Sequence, residues 1–138
     1  PVDVTFLFTV QRQMGFRGAV AAAAKVQPGT IIALELCDGN GEVKMGEGPA
    51  LPAVDGSAIY DRELTELIKK SAPGKLQCVG KTENSSDAGV FQRAGGGAKT
   101  AVILCPAKYL TAPNSVVDRR DVLSLPELLE AALRAIAG

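Results

Sequence analysis

Arg12 and Gln13 stand where the apolar run "FLFTV" gives way to a glycine-bearing turn and an alanine-rich stretch. A parallel strand points its C-terminal end at the crevice where α/β proteins bind ligands, and Gly15 and Gly18 let the backbone turn tightly there. The side chains at this corner suit little chemistry. Arg12 stays protonated at any working pH and cannot act as a base, and the Gln13 amide is a poor metal ligand. The chain has no histidine, so the commonest general base and the commonest transition-metal ligand are missing together.

Three other stretches carry chemical side chains. "AGGGAK", Ala94 to Lys99, has the composition of a phosphate cradle. Such cradles run from a strand into a helix, whereas this one leaves a helix and enters a strand, so it reads as a helix end and loop. "DGNGEV", Asp38 to Val43, begins like a calcium loop, but its sixth position is Val43 instead of glycine and its twelfth is Pro49 instead of a bidentate glutamate. Ser85-Ser86-Asp87 offers hydroxyls and a carboxylate with no base close in sequence, and reads as a helix cap.

The bulk composition narrows the partners. Fifteen Lys plus Arg balance fifteen Asp plus Glu, and only 4% of residues are aromatic. Neither a basic field nor stacking platforms are present, which argues against nucleic acid. The apolar start, "VDVTFLFTV", is too short to span a bilayer and alternates like a strand, so no membrane association is expected. Cys37, Cys78 and Cys105 are odd in number and lie in apolar runs. They read as reduced, buried thiols in a cytoplasmic protein.

The elements that must position these residues alternate along one domain spanning residues 1–138. Val2 to Val10 reads as a first strand, and Gly18 to Val26 as a helix ended by Pro28-Gly29. Thr30 to Leu36 is rich in branched residues and reads as a buried strand, followed by a hairpin-type turn at Asn40-Gly41. Ala50 to Val54 is a short strand. Asp61 caps a helix to about Ala72, with Leu64, Leu67 and Ile68 on its apolar face. Strands follow at Leu76 to Lys81 and Thr100 to Cys105, with a short helix near Asp87 to Ala94 between them. Ser124 and Glu127 form a capping box for a last helix striped with Leu125, Leu128, Leu129, Ala132, Leu133 and Ile136. This order predicts an α/β fold: a mostly parallel sheet with helices on both faces.

Several of these segments, in this order, resemble a known family: "FLFTVQRQMGFRGA", "GEGPALPAVDGSAIYDRELTELI", "TENSSDAGVFQRAGGGAKTAVILCPAKYLTAPNSVVDRRDV" and the final helix. They are similar to the C-terminal part of the dinuclear metallo-aminopeptidases that assemble into tetrahedral dodecamers, the glutamyl or deblocking aminopeptidases and endoglucanase M-like proteins. The resemblance implies part of a zinc-peptidase catalytic domain. These 138 residues hold no counterpart of the family's upstream half, which carries a histidine ligand and a bridging aspartate, or of its inserted assembly domain.

The resemblance also assigns the corner. The family's first strand ends in Val-Gln-Glu-Glu-x-Gly, where the first Glu is the general base and the second a metal ligand; here the two positions are Arg12 and Gln13. Glu35, in "ALEL", occupies the place of an acidic metal ligand. Thr111, in "KYLTAP", stands where the family's Arg-Tyr-Ile-His-Ser-Pro supplies a histidine. A catalytic zinc takes about three protein ligands, and one carboxylate remains.

The expected function is therefore a non-catalytic member of the family, a scaffold or subunit that forms a homo-oligomer or joins a partner, with a peptide among the candidate ligands and no cofactor of its own. The alternative is a piece of a zinc- or cobalt-dependent aminopeptidase that releases N-terminal residues from peptides. A third reading is an unrelated small-molecule-binding domain on the same fold. In the first reading Arg12 reaches across to Glu35, its guanidinium standing in for the lost cations.

Overall fold

The computed structural model describes residues 2–138. Its centre is a sheet in the order β1-β4-β2-β3, built from β1 (Thr30–Asp38), β2 (Ala50–Val54), β3 (Gln77–Lys81) and β4 (Lys99–Lys108). A short β5 (Val116–Val117) pairs with the end of β4. β1 runs parallel to β4 from Thr30↔Lys99 to Asp38↔Ala107, and β2 runs parallel to β3. The two parallel pairs meet antiparallel at Ala50↔Leu104. β4 is buried from Thr100 to Ala107 because helices cover both of its faces, which is why its sequence is an unbroken apolar run instead of an alternating one.

α2 (Arg62–Ser71) and α4 (Arg119–Ala137) cover one face. There Leu64, Ile68, Leu128 and Ala132 pack on Leu51, Ala101 and Ile103. On the other face α3 (Ala88–Arg93) lies on β1 and β4, and α1 (Arg17–Ala23) packs against α3 through Ala19, Ala23 and Phe91. The Asp61 carboxylate accepts the Leu64 amide at 2.8 Å, the N-cap expected from the sequence.

Five expectations are corrected. Val2 to Val10 is not a strand; its backbone makes no ladder, because no strand lies beside it among the described residues. Asn40-Gly41 does not close a hairpin, since β4 sits between β1 and β2 and the intervening loop crosses its end. Cys78 is exposed on the edge strand β3, whereas Cys37 and Cys105 are buried.

The last helix does not begin at a Ser124–Glu127 box. Asp118 caps it through the Arg120 amide at 2.8 Å, and Asp121, 1% exposed, accepts the Gly46 and Gly48 amides at 2.7 and 2.9 Å. These anchors draw the helix start forward, and the Ser124 hydroxyl turns back to the Asp121 carbonyl at 2.8 Å. Pro126 then lies inside the helix, where it cannot bond the Val122 carbonyl. Val122 is on the solvent side, so water can satisfy that group. Finally, Asp87 precedes α3 in a helical conformation, and its side chain caps nothing.

Candidate functional site: the corner at the end of β1

Residues Arg12–Met14 form one turn of 3-10 helix between the irregular segment 2–10 and α1. This turn carries Arg12 onto β1. Glu35 projects from β1 on the face shared with α3, between Ala33 and Cys37, and its side chain is 12% exposed. Arg12 Nε lies 2.8 Å from Glu35 Oε2, so the contact expected from the sequence is present. The Nε–H bond is not aligned on the carboxylate, and the contact is a close ion pair more than a directed hydrogen bond. The other end of the guanidinium donates to the Ser85 carbonyl, and its carbon sits 5.6 Å from the centre of the Phe16 ring.

The loop before α3 completes the corner. The Asp87 backbone amide faces Glu35, and the Asp87 carboxylate accepts the Thr9 hydroxyl at 2.5 Å. The second Asp87 oxygen is buried without a partner among the described residues. Burial raises the Glu35 pKa above its ordinary value; Arg12 pulls it down, but the negative charge of Asp87 works against Arg12, and the net direction is upward. Arg12 is paired with Glu35, and Asp87 adds a second negative charge near that carboxylate.

Beneath this loop lies a polar network that sequence reasoning missed. Asp55 is 7% exposed and accepts the Ser57 amide and hydroxyl, the Ala58 amide and the Tyr60 hydroxyl. Tyr60 also meets the Ser86 hydroxyl at 2.9 Å. Burial alone would raise the Asp55 pKa, but the hydrogen bonds from Tyr60, Ser57 and Ser86 outweigh it and hold it below the usual value. Burial and the Asp55 contact push the Tyr60 phenol up. The signal was present in "DGS", an aspartate positioned to bond the backbone two residues on. The network fixes Ser86, and with it the Ser85 carbonyl and the Asp87 amide that bracket the ion pair.

The other two expected positions do not join the corner. Gln13 is exposed beside Arg12, and no hydrogen bond reaches its side chain among the described residues. Thr111 is exposed in the turn after β4. Because β4 runs parallel to β1, that turn follows the same end of the sheet as Glu35, but no polar contact links the two. Among the described residues no group of three His, Cys, Asp or Glu side chains is placed to hold a metal. Of the three positions that the resemblance assigns to metal ligands, Glu35 is paired with a fixed cation, and Gln13 and Thr111 offer an amide and a hydroxyl.

The fold is an α/β sheet with helices on both faces and a polar corner on the parallel strand β1. More particularly, residues 1–128 match the model of the M42 glutamyl aminopeptidase family, and the chain belongs to that family. A protein of Acetivibrio thermocellus is 30% identical over 143 aligned residues, covering 95% of this chain and 43% of that protein. A lysyl aminopeptidase of Pyrococcus furiosus is 25% identical, covering 97% and 41%. Among solved structures, the Pyrococcus horikoshii TET1 peptidase superposes with a TM-score of 0.77 at 33% identity, covering 90% of this chain and 38% of that one. A TET aminopeptidase from a marine-sediment Thaumarchaeota archaeon gives 0.82 at 25% identity, with 92% and 41% covered. The chain therefore spans about two fifths of the length of these relatives.

Proposed function

We propose that this chain is a non-catalytic M42-family domain that serves as a scaffold or as a subunit of an assembly. The observation that carries the reading is the Arg12–Glu35 ion pair. A guanidinium at the expected base position cannot accept a proton from water. It also opposes metal: a divalent ion about 4 Å from it would be repelled by roughly 8 kcal/mol at an effective dielectric of about 20. Glu35, already paired, is the one acidic ligand expected here.

Assembly is the second part of the reading. The Pyrococcus horikoshii relative is described as assembling into a tetrahedron or a large octahedral shell, and this supports a homo-oligomer. A cytoplasmic setting agrees with three unpaired thiols; among the described residues no helix is long and apolar enough to cross a membrane.

The alternative, a piece of a metal-dependent aminopeptidase, is favoured by family membership together with the two-fifths coverage of the relatives. The experiment that separates them assays the purified chain on aminoacyl p-nitroanilides with zinc or cobalt, beside a variant carrying Arg12→Glu, Gln13→Glu and Thr111→His. The scaffold reading expects no turnover from the natural chain. Metal-dependent turnover by that chain, lost in Glu35→Ala, would establish the enzyme reading.

A further inference from the structure

Three glycines follow directly on an aspartate or asparagine: Gly39 after Asp38, Gly41 after Asn40 and Gly56 after Asp55. A glycine amide nitrogen can attack the side-chain carbonyl of the residue before it, because no Cβ shields that nitrogen. The attack needs a free amide. The Gly39 amide donates to the Ala107 carbonyl at 2.8 Å, and the Gly56 amide to the Asn84 carbonyl at 3.2 Å, so both are engaged. The Gly41 amide makes no hydrogen bond among the described residues. Asn40 and Gly41 are exposed in the loop between β1 and β2, and a Cβ built on Gly41 would meet nothing within 4 Å.

The side chains separate the three sites further. Asp38 and Asp55 present carboxylates, which resist a nucleophile, whereas the Asn40 amide can lose its nitrogen as ammonia. That nitrogen donates to Asp38 Oδ1 at 3.0 Å. The chain's other asparagines, Asn84 and Asn114, precede serines, whose Cβ crowds the attacking nitrogen.

Lys44 favours the attack at Asn40. Its Nζ lies 3.5 Å from the Asn40 main-chain carbonyl oxygen. That oxygen belongs to the same conjugated peptide group as the Gly41 N–H, so charge left on the nitrogen when its proton departs spreads onto the oxygen. The ammonium faces that charge and stabilises the attacking form.

We propose that Asn40 is a site of spontaneous modification, at which the Gly41 nitrogen attacks Asn40 Cγ and water completes a conversion to aspartate and isoaspartate. The bond from the Gly41 nitrogen to Cγ forms and the Cγ–Nδ2 bond breaks. Nδ2 leaves as ammonia, taking up the proton that the Gly41 amide gives up. Water then opens the succinimide ring. Opening at Cγ gives aspartate; opening at the Asn40 main-chain carbonyl gives isoaspartate, with the chain running through Cγ. Either product sets a second carboxylate beside Asp38, where a neutral amide had donated, and moves the chain's formal charge from balance to negative. This chemistry is independent of the corner at Glu35 and of the scaffold reading.

Ageing the full 138-residue chain at physiological temperature, in mildly alkaline buffer made with heavy-oxygen water, tests the proposal. Anion exchange, ammonia release and peptide mass spectrometry follow the reaction. The natural chain is expected to turn more acidic and to carry heavy oxygen and isoaspartate at residue 40. Its rate should lie within about tenfold of that of the same chain unfolded in urea, since the folded loop leaves the amide open. Gly41→Ala keeps the fold, because the space there is empty, and should slow conversion about tenfold. Lys44→Ala should slow it about threefold in the folded chain and leave the rate in urea unchanged. An intact Asn40 in the folded chain, while the unfolded chain converts, overturns the proposal. So does conversion of Asn84 or Asn114 as fast as Asn40, or a Gly41→Ala or folded Lys44→Ala chain that ages no more slowly than the natural one.

Discussion

At the scale of the residue, a carboxylate buried beside a second carboxylate needs a cation, and Arg12 provides one. Replacing it by Arg12→Glu should cost about 2 kcal/mol in urea unfolding, less than the roughly 3–5 kcal/mol of a fully buried pair because Arg12 is 29% exposed. Added zinc or cobalt should recover part of that loss in the variant and none in the natural chain. Glu35 and Asp55 should respond to pH with opposite signs. The folded Glu35 pKa is raised, so its neutral form favours the fold, and its contribution is lost as pH climbs from about 4.5 through the folded value. Glu35→Gln should therefore match the natural chain in acid and gain on it towards neutrality, as thermal melts across pH will show. Asp55 is held low, and its contribution is present above about 3.8 and lost as pH falls through the folded value. The Arg12–Glu35 contact was legible because two adjacent strand ends were expected at one corner. The Asp55 network was not, because its members are close in the chain but joined only when the Ser86 loop folds onto them.

At the scale of the element, boundaries set by local signals were legible and those set by distant anchors were not. β2 and the Asp61 cap follow from residues inside or beside the element. The start of α4 does not: Asp121 meets Gly46 and Gly48, more than seventy positions away. A local rule placed the cap at Ser124 because its residues satisfy that rule in isolation. The Gly48 backbone is left-handed at φ 88°, and a Cβ there would run into the Lys75 carbonyl, so the loop can bring its amides to Asp121 only with glycine at that place. Asp121→Ala leaves the buried Gly48 amide and the half-buried Gly46 amide unpaired and should cost about 3 kcal/mol in denaturant unfolding. The smaller loss should come from Asp118→Ala, whose cap is exposed. Equal losses at the two positions would show that the buried anchor does not govern where the helix begins.

At the scale of the whole molecule, the order of elements fixed the class and the helix faces, but not which strands neighbour each other. Periodicity reports that a segment has a face to bury; it says nothing of what lies beside it, and Val2 to Val10 is the case in point. Burial likewise sorts the thiols in a way that composition cannot. Cys37 is pushed up to about 12 by burial, with Cys105 and Asp38 adding to it, whereas Cys78 lies open on β3. A thiol reagent at neutral pH should modify Cys78 alone in the folded chain and all three after unfolding; fast reaction of Cys37 would mean that the β1 edge opens readily. The central claim is that a fixed guanidinium has taken the place of metal at this corner. Calorimetric titration of the 138-residue chain with zinc, and separately with cobalt, tests it most directly. The account predicts no stoichiometric heat from the natural chain, and one tight ion per chain, lost in Glu35→Ala, would contradict it.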